Sequence, residues 1–392
     1  LTDFHKRVRS LGRGILTVWT AIWFLCFGMG IYSACYFNFA TEFIRINPVQ
    51  LGQLEAVREL PGFLCAGVTA IAGRIAEPIL GGGALLLMSA GLGAYALVRT
   101  VGSLMLSSFV WSVGLHSWFP LQSSLVLGLT RDGSEGRRLG QTASVGSIGM
   151  LSGMALVSLL GLAITYQVWF VIAAASVLVA GTCLFFVPRK LETHAKQRFV
   201  WKRRYGLYYA LTLLEGCRKQ VFMTFAIYAL TREYHTTLRV VAALMLINNV
   251  VNMLGAPIVG KLIDRIGERR ILMTSYSALI LVFLGYASIR NAHVLYVLYC
   301  LDNLFFLSSP CLTTYIKKIA EPRDLLPTLS LGVTLNHTAA VLVPLIGGAL
   351  WASLGYPVTF YGGAVIVAVS VYLASRVNTT KPTTVSTEAT TV

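Results

Sequence analysis

Charge is what this sequence has least of. Asp, Glu, Lys and Arg make up 12% of its 392 residues, about half of the roughly 25% found in soluble domains, and acidic residues are the rarer sign, 16 against 32 basic. The deficit excludes an ordinary soluble domain. Cysteine is sparse and unpatterned: the seven show no Cys-x-x-Cys spacing, which argues against a disulfide framework or a thiolate metal site and for buried free thiols. No apolar stretch alternates with period two, so strands are not expected. The triple glycine at 81–83 has no preceding strand and no following Lys-Ser/Thr, so it is no phosphate loop. Nor is there a clustered basic face of the kind nucleic acid requires.

What the chain has is length of apolar sequence, with 56% of its residues hydrophobic. A bilayer core of about 30 Å needs about 20 helical residues to cross it. Runs of that kind recur at 15–40, 49–72, 79–98, 103–130, 139–164, 167–187, 204–231, 238–263, 270–289, 293–318, 325–352 and 357–375. The expectation is an all-α integral membrane protein of twelve transmembrane helices. The first run is too long for the apolar region of a signal peptide and is expected to stay in the membrane.

Orientation follows from the basic residues. With both termini in the cytoplasm, 24 Lys and Arg fall in cytoplasmic segments, against Arg45, Arg99, Arg232, Arg239 and Arg290 on the other side. Such a bias is the positive-inside pattern. It places the protein in the plasma (inner) membrane and turns the net charge of +16 into a topology signal. The basic segment 188–203 divides the chain into bundles of six helices at 1–187 and 204–375. A Thr-rich tail, 376–392, is expected to be disordered.

The halves repeat each other. "GRIAE" at 73–77 matches "GKLID" at 260–264 at an offset of 187. "SVG" (144–146) and "SLG" (330–332), Gly161 and Gly347, and "GLHSWFPL" (114–121) and "CLDNLFFL" (300–307) match at 186. The last alignment makes His116 and Asp302 counterparts at one depth.

"GKLIDRIGERR" (260–270) resembles the signature that the major facilitator superfamily carries between helices 2 and 3 and again between helices 8 and 9. Gly260, Leu262, Asp264, Arg265, Gly267, Arg269 and Arg270 fit it, while Glu268 replaces a basic residue. The first-half copy keeps Gly73, Ile75 and Glu77 but has Pro78 and Leu80 where Arg and Gly belong. "VPLIGGALWASLGYPVTFYGGA" (343–364) also looks like the family's turn between helices 11 and 12. The resemblance implies two pseudo-repeated six-helix bundles, with helices 1, 4, 7 and 10 lining a central cavity. It further implies a cytoplasmic latch in which Gly260, Asp264, Arg265 and Gly267 meet the start of helix 5 near Leu139, with Gly73 and Glu77 at the matching place in the first half. A carboxylate such as Asp264 can face the positive N-terminal end of a neighbouring helix.

Ionisable groups inside spanning helices cost at least about 2.5–3.5 kcal/mol each and usually face a cavity. Run 2 carries Glu55, Arg58 and Glu59, and run 7 carries Glu215, Arg218 and Lys219. Both triplets have i, i+3, i+4 spacing, which gathers them on one helical face. Run 10 carries Asp302 with Asn303 beside it. His116 in run 4 and His337 in run 11, next to Asn336, lie near mid-membrane. The resemblance places His116, the Glu215 triplet and Asp302 in the cavity, with Tyr32 and Tyr36 of helix 1 as further lining. Four carboxylates face three permanent cations, so one carboxylate, Glu215 or Asp302, is free to carry a proton. Arg218 and Lys219 would attract an anionic solute, and Arg218 can grip a carboxylate or phosphate bidentately. Glu55, Arg58 and Glu59 read as a structural or gating ion-pair network. Asn248, Asn249 and Asn252 read either as cavity polars or as hydrogen-bond glue between helices.

Together these features point to a proton-coupled secondary transporter, not an enzyme. It would move a small polar or amphipathic solute with an anionic group by alternating access, as a monomer in the lipid bilayer. No metal or cofactor and no nucleic-acid partner are expected, and a proton gradient supplies the energy. The competing readings are a drug or metabolite efflux antiporter and a non-transporting receptor or assembly factor of the same fold.

Overall fold

The computed structural model describes residues 12–64, 75–130, 135–161, 163–187 and 201–378. Every regular element among them is helical. The α-helices are α1 (Arg13–Asn38), α2 (Pro48–Glu59), α3 (Glu77–Ala94), α4 (Val101–Gly128), α5 (Glu135–Leu160), α6 (Tyr166–Leu184), α7 (Gly206–Arg232), α8 (Leu238–Ile266), α9 (Glu268–Ser288), α10 (Ala292–Phe306), α11 (Pro310–Ile319), α12 (Pro322–Leu354) and α13 (Pro357–Ala374). Among the described residues nine helical stretches are long and apolar enough to cross a membrane, α10 and α11 counting as one. Helices α2, α4 and α7 fall short of that measure. Helix α2 has 12 residues, while the serines around His116 dilute the apolarity of α4, and Glu215, Arg218 and Lys219 that of α7.

Local chemistry sets the helix ends. Asn47 Oδ1 accepts from Gln50 N at 2.8 Å while Gln50 Oε1 accepts from Asn47 N at 2.9 Å, a capping box ahead of Pro48 at the start of α2. Thr100 and Ser103 cap α4 in the same way. At Gly267 the backbone takes φ 86°, and α9 restarts at once from the end of α8. A residue with a Cβ would be strained there. Run 10, expected as one helix, is two: the backbone closes i to i−3 bonds through Leu307, Ser308 and Ser309 before α11 begins at Pro310. Proline has no N–H for the ladder, and its ring clashes with the carbonyl four residues back, here that of Phe306.

The internal repeat is present in the turns, but its register corrects the sequence alignment. Arg45 and His235 both have positive φ, 59° and 49°. Ile46 N bonds Ala40 O, and Thr236 N bonds Leu230 O, both at 3.0 Å. These pairs stand 190 apart. Thr100 and Asn291, which cap α4 and α10, and Glu77 and Glu268, which open α3 and α9, stand 191 apart. The structural register thus lies one helical turn from offsets of 186 and 187. A slip of four residues keeps apolar faces aligned, so short Gly and aliphatic matches are blind to it. Asp302 then lies across from Trp111, and His116 across from Leu307, which withdraws the pairing of His116 with Asp302.

Helices α1 and α3 to α6 pack on one another, as do α7, α9, α10, α12 and α13, while α2 crosses to α12 and α5 to α8. The crossing of α2 and α12 is close enough to exclude any side chain at two points. A Cβ on Gly52 would lie 2.2 Å from Pro344 O, and one on Gly348 would lie 2.3 Å from Pro48 O. The six described cysteines are free thiols, buried or half-buried. Cys65, residues 188–200 of the basic linker and 379–392 of the tail lie outside the described residues.

Candidate functional site

A cavity of about 550 Å³ lies between the two sets of helices. On the face that carries Arg45 and Arg232, its ends are tied together. Tyr228 Oη and Arg232 Nη1 both donate to Ile46 O, at 2.8 and 2.6 Å, and Asn38 Nδ2 donates to Thr236 O at 2.8 Å. On the opposite, basic face Leu139, near the start of α5, and Lys261, Leu262, Asp264 and Arg265, at the end of α8, are exposed.

Of the residues singled out in the sequence, Tyr32, Tyr36, Glu55, Arg58 and Glu59 line it from α1 and α2. Lys219, Asp302, Asn303, Asn336 and His337 line it from α7, α10 and α12. The α2 triplet is thus part of the cavity wall and not only a gate. Tyr36 Oη and Arg58 Nη1 each donate to Glu55 Oε1 at 2.8 Å. The Arg58 guanidinium also lies over the rings of Tyr36 (5.2 Å) and Trp111 (5.6 Å), so this charge is neutralised by a carboxylate and held by two aromatic faces. Tyr32 meets Tyr95, whose hydroxyl is shared with Ser108 and Trp111. Trp111, Tyr95 and Ser108 were not anticipated; in sequence they are indistinguishable from ordinary apolar-run residues.

The α7 triplet separates on folding. Arg218 is buried and donates through Nη1 to the buried Asp302 at 3.3 Å, with its guanidinium 4.8 Å from the Phe306 ring centre. Arg218 does not line the main cavity. Lys219 is half-buried, lines the cavity, and has the Phe306 ring centre 5.9 Å from its Nζ. No carboxylate among the described residues ion-pairs with it. Glu215 does not line the main cavity but a side chamber of about 300 Å³ toward the basic face, which shares Lys219, Phe306 and Asn336 with it. Its Oε2 accepts from Tyr276 Oη at 3.3 Å, and it too lacks an ion pair among the described residues.

The asparagines serve in both of their expected ways. Asn252 and Asn303 exchange amide hydrogen bonds at 3.2 and 3.0 Å between α8 and α10 while lining the cavity. Asn248 and Asn249 line it as well. His116 does not reach the cavity. It sits behind Glu59, its Nε2 3.9 Å from Glu59 Oε2, and His337 Nδ1 is 3.1 Å from the same oxygen.

The latch residues are not joined across the halves. Asp264 is exposed and makes no ion pair or hydrogen bond among the described residues, and a Cβ on Gly260 would touch nothing. Gly73 lies outside the described residues. Glu77 is buried and accepts from Ser124 Oγ of α4 at 2.8 Å. Its structural counterpart, Glu268 in the first turn of α9, holds Lys318 Nζ at 2.6 Å. Glu77 is thus held by α4 within its own set of helices. Each carboxylate faces the positive end of its own helix.

Residues 208–391 match the sequence model of the Major Facilitator Superfamily. No curated protein matches the chain in sequence. In fold the chain is similar to the nucleoside transporter NupG, in a mutant form, at 15% identity with a TM-score of 0.77, over 92% of this chain and 98% of that one. It is similar to a bacterial homologue of the human lysosomal transporter Spinster, solved inward-facing and occupied, at 13% identity with a TM-score of 0.72, over 93% and 96%. A mutant of the peptide transporter POT in complex with sulfate superposes at 14% identity with a TM-score of 0.71, over 93% and 95%.

Proposed function

We propose that the chain belongs to the major facilitator superfamily, whose sequence model residues 208–391 match, and that it is a proton-coupled secondary transporter of a small solute bearing an anionic group. It would sit in the plasma (inner) membrane with its basic face in the cytoplasm. The observation that carries the reading is Lys219: an ammonium group on the wall of a cavity tied shut at one face, with no carboxylate among the described residues at ion-pair distance. A cation left in a low-dielectric cavity is stabilised when a solute brings the opposite charge. The other intramembrane cations of the site are already paired, Arg58 with Glu55 and Arg218 with Asp302, which leaves Lys219 to select.

Glu215 is the proton carrier in this reading. It is buried, its hydrogen-bond partners Tyr276 and Ser309 are neutral, and it lies four residues from Lys219 in the side chamber. Proton and anion would then be handled on one helix face. Closure at the Ile46 face fits one of two alternating states, the second needing the α2–α12 crossing to part. Thermal stabilisation of the purified protein by a panel of organic anions, cations and neutral solutes tests selectivity. Flux of any stabilising solute into proteoliposomes under an imposed pH gradient tests transport. Stabilisation by cations alone would overturn the anion assignment, and binding without flux would favour a receptor.

A further inference from the structure

Two imidazoles and a carboxylate converge where the two sets of helices meet. His116 Nε2 from α4 and His337 Nδ1 from α12 both face Glu59 Oε2 of α2, at 3.9 and 3.1 Å. One ligand atom from each of the three residues lies within 4.8 Å of the other two. We propose that Glu59, His116 and His337 form a binding site for a divalent first-row transition ion that bridges the two halves of the protein.

The orientation of His116 supports this. Its Nδ1 lies 2.9 Å from the Ser112 carbonyl oxygen and 3.0 Å from Ser112 Oγ. A carbonyl only accepts, so Nδ1 carries a hydrogen and Nε2 is turned toward Glu59. A cation between Nε2 and the carboxylate oxygen 3.9 Å away, a proton or a metal ion, is what this approach favours. Histidines that bind metals are held by a hydrogen bond of this kind from the second nitrogen. Donor atoms about 2.0–2.2 Å from a tetrahedral zinc ion stand roughly 3.4 Å apart, so modest rotation of the two rings closes the geometry.

Gly62 passes so close to His337 that a Cβ there would lie 2.6 Å from Nδ1, so the ring keeps its place because that position is glycine. Glu59 and His337 line the main cavity, which leaves a fourth coordination position facing solvent or solute. Two imidazoles with one carboxylate suit zinc, cobalt or nickel better than magnesium or calcium, which prefer all-oxygen shells. Since Glu59 and His116 belong to the first half and His337 to the second, an ion bound here would hold the present conformation together.

The test uses the full chain in lipid nanodiscs, stripped with chelator and titrated with Zn²⁺ by calorimetry. The expected result is a single saturable site weakened about tenfold or more by each of Glu59→Gln, His116→Gln and His337→Gln, and unchanged by His235→Gln or His293→Gln on the surface. Co²⁺ should give the intense visible bands of a four- or five-coordinate nitrogen and oxygen site in the wild type, and this needs no variant to fold. Absence of Zn²⁺ binding, a Co²⁺ spectrum like that of the aqueous ion, or affinity unchanged in all three variants would overturn the proposal. None of these outcomes bears on whether the protein transports an organic anion.

Discussion

Arg218 and Lys219 are consecutive in the chain, yet Arg218 is sealed against Asp302 at 3.3 Å while Lys219 faces the cavity. Adjacent residues on an α-helix point about 100° apart, and that rotation divides a structural charge from a selective one. Lys219→Ala is expected to weaken binding of the stabilising anion by about tenfold or more, ~1.4 kcal/mol, with little change in melting temperature. Arg218→Ala is expected to lower stability by about 3–5 kcal/mol, because it strands a buried carboxylate. The double variant Arg218→Gln with Asp302→Asn should recover much of that loss. Calorimetric affinity and thermal unfolding of the three variants check this, and a large binding defect confined to Arg218→Ala would reverse the assignment.

Glu215→Gln keeps the size of the side chain and removes its ability to carry a proton. Solute accumulation driven by a pH gradient in proteoliposomes should vanish, while exchange of solute for solute should persist. Asp302→Asn, by contrast, should impair both activities through Arg218. If Glu215→Gln still accumulates solute, the proton travels elsewhere.

The α2–α12 crossing offers a mechanical test. Gly52→Leu places side-chain atoms where Pro344 O now lies 2.2 Å from a built Cβ, so the face carrying Arg45 is expected to open. With the native cysteines replaced, a cysteine at the cavity residue Ser33 should react faster with an impermeant thiol reagent added on that face. Equal rates with and without Gly52→Leu would show that the crossing yields in some other way.

On the basic face, Asp324 Oδ2 accepts from Lys202 Nζ (2.6 Å), Arg204 Nη2 (2.9 Å) and Tyr205 Oη (2.8 Å). Lys202 first, then Tyr205 and Arg204, pull its pKa down to about 2. The unfolded value is about 3.9, so the carboxylate stabilises the fold in full above about pH 4 and loses that contribution as pH falls toward about 2. The gap in melting temperature between wild type and Asp324→Asn should therefore stay constant from neutral pH down to about 4 and close below it. A gap that narrows between pH 7 and 5 would point to another group.

Much of the architecture was legible in one dimension. Whether a segment crosses a bilayer depends on its own apolar length, and its sidedness on the Lys and Arg beside it. Membrane class, helical content and the repeated halves could therefore be read from "GKLIDRIGERR" and the apolar runs around it. Single-residue features were less legible. The break before Pro310 was missed inside an otherwise apolar run, although the proline that causes it was visible. The repeat was aligned one turn off because a helix looks alike to itself every four residues.

The sequence by itself determined that intramembrane charges exist and on which helices they lie, since inserting them is costly wherever they end up. Only the tertiary structure decided which of them are neutralised. Arg218 finds Asp302 across 84 positions, and Glu59 finds His337 across 278. Such partners are set by how helices rotate and cross, with glycines such as Gly52 and Gly348 fixing the approach. A periodic pattern carries the face a residue occupies but not what that face meets. For that reason the free ammonium of Lys219 and the convergence of His116, Glu59 and His337 emerge only when the two halves are brought together.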